Sequence, residues 1–165
     1  MNSGKSLKVL ALNPFHGGSH RAFLDGWNQR SRHQFTVLTL PPSHWKWRMR
    51  HAAASFAFEV NDLGNQSWDI VFATDMCNFS EFQGLVRKDV ADLPSVIYFH
   101  ENQFSYPSRG DSESVQRDLH FAMTNFISVL SEPIRNPLHA VSRYLNGAWL
   151  GEGAKRRSMR PMEAT

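Results

Sequence analysis

The chain has 165 residues, 41% of them apolar and 20% charged, with a formal charge of +3, which suits one domain built around a single core. No apolar run approaches the roughly 20 residues of a transmembrane helix, and the first residues lead into a strand-like segment instead of a secretory signal. Cys77 is the single cysteine, which rules out an intrachain disulfide and suits a reducing compartment, so the composition reads as a cytoplasmic protein with no membrane association.

The elements then follow in chain order. Lys8 to Leu12 is a short aliphatic strand bounded by Asn13-Pro14. Gly17-Gly18-Ser19 follows, with Ser19 as the expected N-cap of a helix to about Arg30. Phe35 to Leu40 reads as a second strand stopped by Pro41-Pro42, after which Ser43 is placed to cap a helix from His44 to about Asn61. Trp45, Met49, Ala52, Phe56 and Val60 recur there at helical spacing and mark a buried stripe. Asp69 to Ala73 is a continuous apolar strand, as expected where helices cover both faces of a sheet. A short helix opens at Asn78 or Ser80 and reaches about Arg87, Ser95 to Phe99 is the fourth strand, and a helix runs from about Ser112 to Leu130. The alternation predicts an α/β fold, a Rossmann-like doubly wound parallel sheet. The expected strand order is 3-2-1-4, with the switch point between strands 1 and 4.

Residues 1–130 form the expected folded domain and balance 12 Lys+Arg against 12 Asp+Glu; residues 131–165 hold the remaining 6 against 3. Pro133, Pro137, Gly147, Gly151 and Gly153 argue against a regular continuation there. The tail, with Lys155-Arg156-Arg157 and Arg160, therefore reads as a poorly ordered basic end, with contact to RNA as the other reading.

Three constellations carry chemistry. Phe15-His16-Gly17-Gly18-Ser19-His20 follows strand 1, where glycines let backbone N–H groups approach an anion at a helix N-terminus; it is neither the GxGxxG fingerprint nor a P-loop. Leu40 to Arg50 packs His44, Trp45, Trp47, Lys46, Arg48 and Arg50 into seven consecutive residues. There Trp47 faces about 200° away from Trp45 and can stack on a base or sugar, with the arginines on phosphates; the rival reading is a solvated helix face with Trp47 packed under a neighbouring loop. Tyr98-Phe99-His100-Glu101-Asn102-Gln103 ends strand 4 in an imidazole, a carboxylate and two amides, fit for acid–base work or merely for capping a loop. Thr74, Asp75 and Asn78, after strand 3, fall at the same carboxyl edge and can bind hydroxyls, and Cys77 reads as a buried small residue. No cluster has metal-ligand spacing, and there is no Asp-x-Asp. No Gly-x-Ser-x-Gly elbow supports a hydrolase.

In order, these stretches resemble the N-terminal half of the tRNA-queuosine α-mannosyltransferase family, a GT-B group near glycosyltransferase family 4. The matching residues are Phe15–His20, Leu40–Arg50, Tyr98–Pro107 and, more weakly, Arg117-Asp118-Leu119-His120-Phe121-Ala122, over about residues 7–130. The resemblance implies an incomplete, N-terminal half of a GT-B fold and retaining transfer of mannose from GDP-mannose to queuosine in tRNA. The acceptor tRNA and the nucleotide sugar are the implied partners; no metal or other cofactor is implied. It implies His100 and Glu101 as catalytic residues, and Gly17, Gly18 and Ser19 near the donor diphosphate. His16, His20, His44, Trp47, Arg48, Arg50, Asn102 and Gln103 would then face the acceptor. A half-site lacking its donor domain is expected to be inactive alone; the rival from another class is a non-catalytic RNA-binding module.

Overall fold

A computed structural model describes residues 5–100 and 112–131. Four parallel strands, β1 (Lys8–Asn13), β2 (Gln34–Thr39), β3 (Ile70–Thr74) and β4 (Ser95–Tyr98), form one sheet. The helices are α1 (Gly18–Arg30), α2 (Trp45–Asp62), α3 (Phe79–Leu85), α4 (Lys88–Ala91) and α5 (Ser112–Ser131). The expected α/β doubly wound class is what forms, with the short α4 as an addition.

Side chains alternate across the strands and so sort the helices into two layers. Val9 and Ala11 of β1 and Phe72 of β3 pack with Leu24, Phe23 and Trp27 of α1 on one face. Leu10, Leu12, Val71 and Ala73 pack on the other face with Phe56 and Val60 of α2 and with Phe79 and Phe82 of α3. Each such large side chain removed from water contributes about 1.5–3 kcal/mol. Met49, Met76 and Phe121, joined by Phe15 and Trp45, tie α5 to the start of α2.

The neighbour order is β2-β1-β3-β4, not 3-2-1-4. β1 and β3 are buried almost end to end, whereas β2 and β4 are partly exposed along their length. Only an inner strand, paired on both edges and covered on both faces, hides so completely. The crossover through α2 therefore passes over β1 and sets β3 on its far side, and the switch point lies between β1 and β3.

Two helix starts also differ from expectation. Gly17 is the N-cap of α1, so Ser19 lies inside the helix. The N-cap of α2 is His44, held in the left-handed region at φ 51°, in place of Ser43. Asn78 does cap α3: its side-chain oxygen accepts from the Glu81 N–H at 3.3 Å. The stretch 132–165 lies outside the described residues, and among the described residues no helix is long and apolar enough to cross a membrane.

Candidate functional site

The carboxyl edge of the sheet gathers the loops that follow β1 and β2. The His16 N–H donates to Leu40 O at 3.0 Å, and the Leu40 N–H donates to Asn13 O at 3.2 Å, so these two loops lie side by side. Gly17 makes this possible: a Cβ there would lie 2.4 Å from Pro42 Cβ, closer than atoms can approach. Gly18 differs. Its φ is +52° and a Cβ would meet nothing within 4 Å, so it needs glycine for its backbone angle and faces open space. Helix α1 begins there with no side-chain cap and no acidic residue in its first turn, leaving an anion-favouring N-terminus.

The end of β4 meets the first turn of α1. The His20 and His100 rings have centroids 3.9 Å apart, tilted by 42°. Phe23 stacks flat on Tyr98 at 4.4 Å, and both turn an edge or face to His100, at 5.4 and 4.7 Å. His100 thus sits in a box of three rings. Burial, with the neighbouring His100 as the lesser cause, lowers His20 from 6.5 to about 4, and burial lowers His100 as well. Both imidazoles are therefore neutral at pH 7 and able to accept a proton.

Beneath them lie buried polar side chains. Asn13 and Thr74 are completely enclosed, and Asn13 Oδ1, Thr74 Oγ1, His20 Nδ1 and His100 Nε2 have no hydrogen-bond partner among the described residues. Placement explains the grouping. His20 is one helical turn, about 6 Å, before Leu24, which covers Val9 and Ala11; two strand residues span about 6.6 Å, which puts His20 over Asn13 and its neighbour Thr74.

The remaining sequence-predicted residues divide. His16 is fixed in the loop, with Nδ1 3.1 Å from Asn13 Nδ2 and Nε2 3.5 Å from Asp25. Ser19 and His44 are exposed at the same edge. Trp47 is 65% exposed, which suits stacking. Arg48 donates to Pro41 O at 3.1 Å and Ser43 Oγ at 3.3 Å and contacts His51 Nε2 at 3.1 Å, so it braces the loop. Arg50 lies over the Phe121 ring at 5.7 Å. Glu101, Asn102 and Gln103 lie outside the described residues. Cys77 is buried and its thiol pushed well up by desolvation, with Glu81 adding to it. No group of three metal-ligating side chains occurs among the described residues.

The model of one family, described as tRNA-queuosine alpha-mannosyltransferase N-terminal, matches residues 8–134. The chain belongs to this family. A curated relative from Drosophila melanogaster, named tRNA-queuosine alpha-mannosyltransferase, is 34% identical over 127 residues. That alignment takes in 74% of this chain and 31% of the relative, so the chain spans about a third of that protein's length. No solved structure matches. Within this queuosine-mannosyltransferase N-terminal domain, the ring partners Phe23 and Tyr98 and the buried Asn13 were not anticipated as part of the site. A signal existed for each: Phe23 is three residues after His20 on a helix, Tyr98 two before His100 on a strand, and Asn13 is a polar end to an apolar run.

Proposed function

We propose that this domain is the acceptor-side half of a retaining mannosyltransferase of GT-B architecture, one that moves mannose from GDP-mannose to queuosine in tRNA. The observation that carries the reading is the contact of His20 with His100, which joins the glycine loop after β1 to the histidine after β4 in one cleft lip. A neutral imidazole beside the reacting groups can take the acceptor hydroxyl's proton. His100 has that role, boxed by Phe23, Tyr98 and His20, with Glu101 beside it in sequence. The open N-terminus of α1 at Gly18 and Ser19 meets the donor diphosphate. The exposed His44 and Trp47 face the acceptor, while His16, Arg48 and Arg50 shape that surface instead of gripping phosphates. Asn102 and Gln103 keep their proposed part in holding acceptor hydroxyls. The 165 residues by themselves do not turn over, because one lip cannot stabilise both the sugar cation and the leaving diphosphate.

Binding of a tRNA that carries queuosine, compared with the same tRNA carrying guanosine at that position, tests the reading. The expected result is tighter binding of the queuosine form, with the preference lost in Trp47→Ala. Equal binding of the two tRNAs by the wild-type chain would overturn the acceptor assignment, and mannosyl transfer by the purified chain would overturn its inactivity.

A further inference from the structure

Helix α2 turns two large aromatic rings to solvent along one line. Trp47 is 65% exposed, and Phe58, at 71%, is the barest large apolar side chain among the described residues. They are eleven positions apart in the helix. At 100° and 1.5 Å per residue they lie within about 20° of each other around the axis and about 16 Å apart along it. The side that packs on the sheet, with Met49, Ala52, Phe56 and Val60, is the opposite one, so the core needs neither ring. Ala54 is exposed between them and keeps the interval shallow. Trp47 is also braced: its ring lies 5.7 Å from that of His51, whose Nε2 is 3.1 Å from Arg48 and whose Nδ1 is 3.0 Å from Ser55 Oγ. A single exposed apolar residue is ordinary surface. Two aligned rings make a pair of platforms.

The charge around the rings decides what they fit. From Gly26 to Phe58 the sequence holds no Asp or Glu, and His44, Lys46, Arg48, Arg50 and His51 crowd the start of α2. Lys46 and Arg50 are exposed there. Carboxylates return only at Glu59 and Asp62, past the second ring, and mark where the basic surface ends. An apolar protein partner would meet a continuous apolar patch, whereas Arg50, His51 and Ala54 separate these rings. Flat rings spaced along a cationic face are instead what a single-stranded nucleic acid uses, bases on the rings and phosphates in the positive field. Stacked nucleotides rise about 3.4 Å each, so about five of them span the interval, and fewer where the strand is stretched. One looped strand reaches both rings.

We propose that the outer face of α2 binds the single-stranded loop of the acceptor RNA, with one base stacked on Trp47 and another, three helical turns away, on Phe58. This rests on the reading of the domain as the acceptor-side half and adds to it a contact remote from the reacting nucleoside. Helix α2 starts at the carboxyl edge of the sheet and runs away from it, so Phe58 grips the RNA without sensing whether the nucleoside at the histidine pair is modified.

Fluorescence anisotropy with labelled RNA hairpins of the anticodon stem and loop, carrying guanosine or queuosine at the modified position, tests this in the full chain. Phe58→Ala should weaken binding of both hairpins about tenfold, within the range for loss of one base stack, and leave the preference between them and the Tm as in the wild type. Phe58→Tyr should bind like the wild type. The slope of log affinity against log salt should not change, because a base contact is lost and no phosphate contact. Leu130→Ala, which trims a 49% exposed apolar side chain on α5, should have no effect. Unchanged binding by Phe58→Ala, an equal loss in Leu130→Ala, or a loss confined to the queuosine hairpin would overturn the proposal. So would a wild-type dimer that Phe58→Ala dissociates, which would make the face an interface between copies. A wild type that binds the two hairpins equally, yet loses affinity for both in Phe58→Ala, would refute the acceptor assignment and uphold the RNA face.

Discussion

The neutral His20 makes the domain acid-sensitive in a way that one substitution isolates. His20 is only 9% exposed and its pKa falls from 6.5 to about 4 on folding. A depressed value means that the unfolded chain takes up the proton first. The contribution is therefore whole above pH 6.5 and is lost as pH falls from 6.5 towards 4. At about 1.4 kcal/mol per pKa unit the full loss is about 3 kcal/mol, of which about 2 kcal/mol has gone by pH 5. His20→Gln keeps a polar side chain but does not titrate there. Denaturant unfolding of both proteins at pH 7 and pH 5 reads the difference directly. Carboxylates and the histidines away from this contact act in both proteins and cancel to first order. The wild type should lose about 2 kcal/mol more than His20→Gln over that interval. Equal losses would mean that His20 is as well solvated when folded as when unfolded, and the argument for a neutral imidazole pair would fall with it.

The other expectations concern the site's frame. Gly17→Ala must push Pro42 away and should cost about 1–3 kcal/mol, while Gly18→Ala meets nothing and should cost only about 1 kcal/mol for its left-handed backbone; urea midpoints that rank the two the other way would contradict the separate roles given to these glycines. Thr74→Val removes a buried hydroxyl that has no partner among the described residues, so the variant should be at least as stable as wild type by thermal melting; a loss above about 1 kcal/mol would mean that the hydroxyl is bonded inside the domain. Ser128 accepts from the buried Phe79 N–H at 3.0 Å and donates to Thr124 O at 2.9 Å. Ser128→Ala should therefore cost about 1–3 kcal/mol and speed amide exchange at Phe79; unchanged exchange there would remove the contact from the account.

The sheet was legible because β1 and β3 are unbroken apolar runs between turn-forming residues, and the loops after β1 and β4 announced themselves by polar residues set abruptly after such runs. Strand order was not legible in the same way. It depends on which side of β1 each crossover falls, and the one clue in the sequence, that β3 is as apolar as β1 and so belongs inside, does not say which strand it neighbours. Among the site residues, Trp47 stays exposed as its helical position predicted, since nothing on α2 turns it inward. The arginines are different. A guanidinium four residues from a proline-rich loop looks in sequence like one that waits for phosphate, yet Arg48 turns back on Pro41 and Ser43, and Arg50 covers Phe121 from a helix some seventy residues later. Such choices are made by tertiary neighbours, so no local pattern records them. The two adjacent glycines show the same limit: one is required by Pro42 and the other by its own backbone angle.

The corrected strand order also explains why the histidine pair has a polar floor. Had β4 paired with β1, His100 would have risen directly beside the glycine loop, with no strand between. In the order found, β3 intervenes, and the distance from β1 to β4 is two strand spacings, about 10 Å. Helix α1, about 10 Å wide, bridges that gap: Leu24 rests over β1 while Phe23 reaches Tyr98 on β4. His20, one turn nearer the edge than Leu24, can meet His100 only by passing over the end of β3. The side chain there on that face is Thr74, two residues beyond Phe72, and Asn13 follows Leu12, whose partner on β3 is Ala73, the residue before Thr74. The imidazole contact and the buried hydroxyl and amide oxygen, which have no partner among the described residues, are thus products of one geometric fact, the placing of β3 between the two strands that carry the histidine-bearing segments.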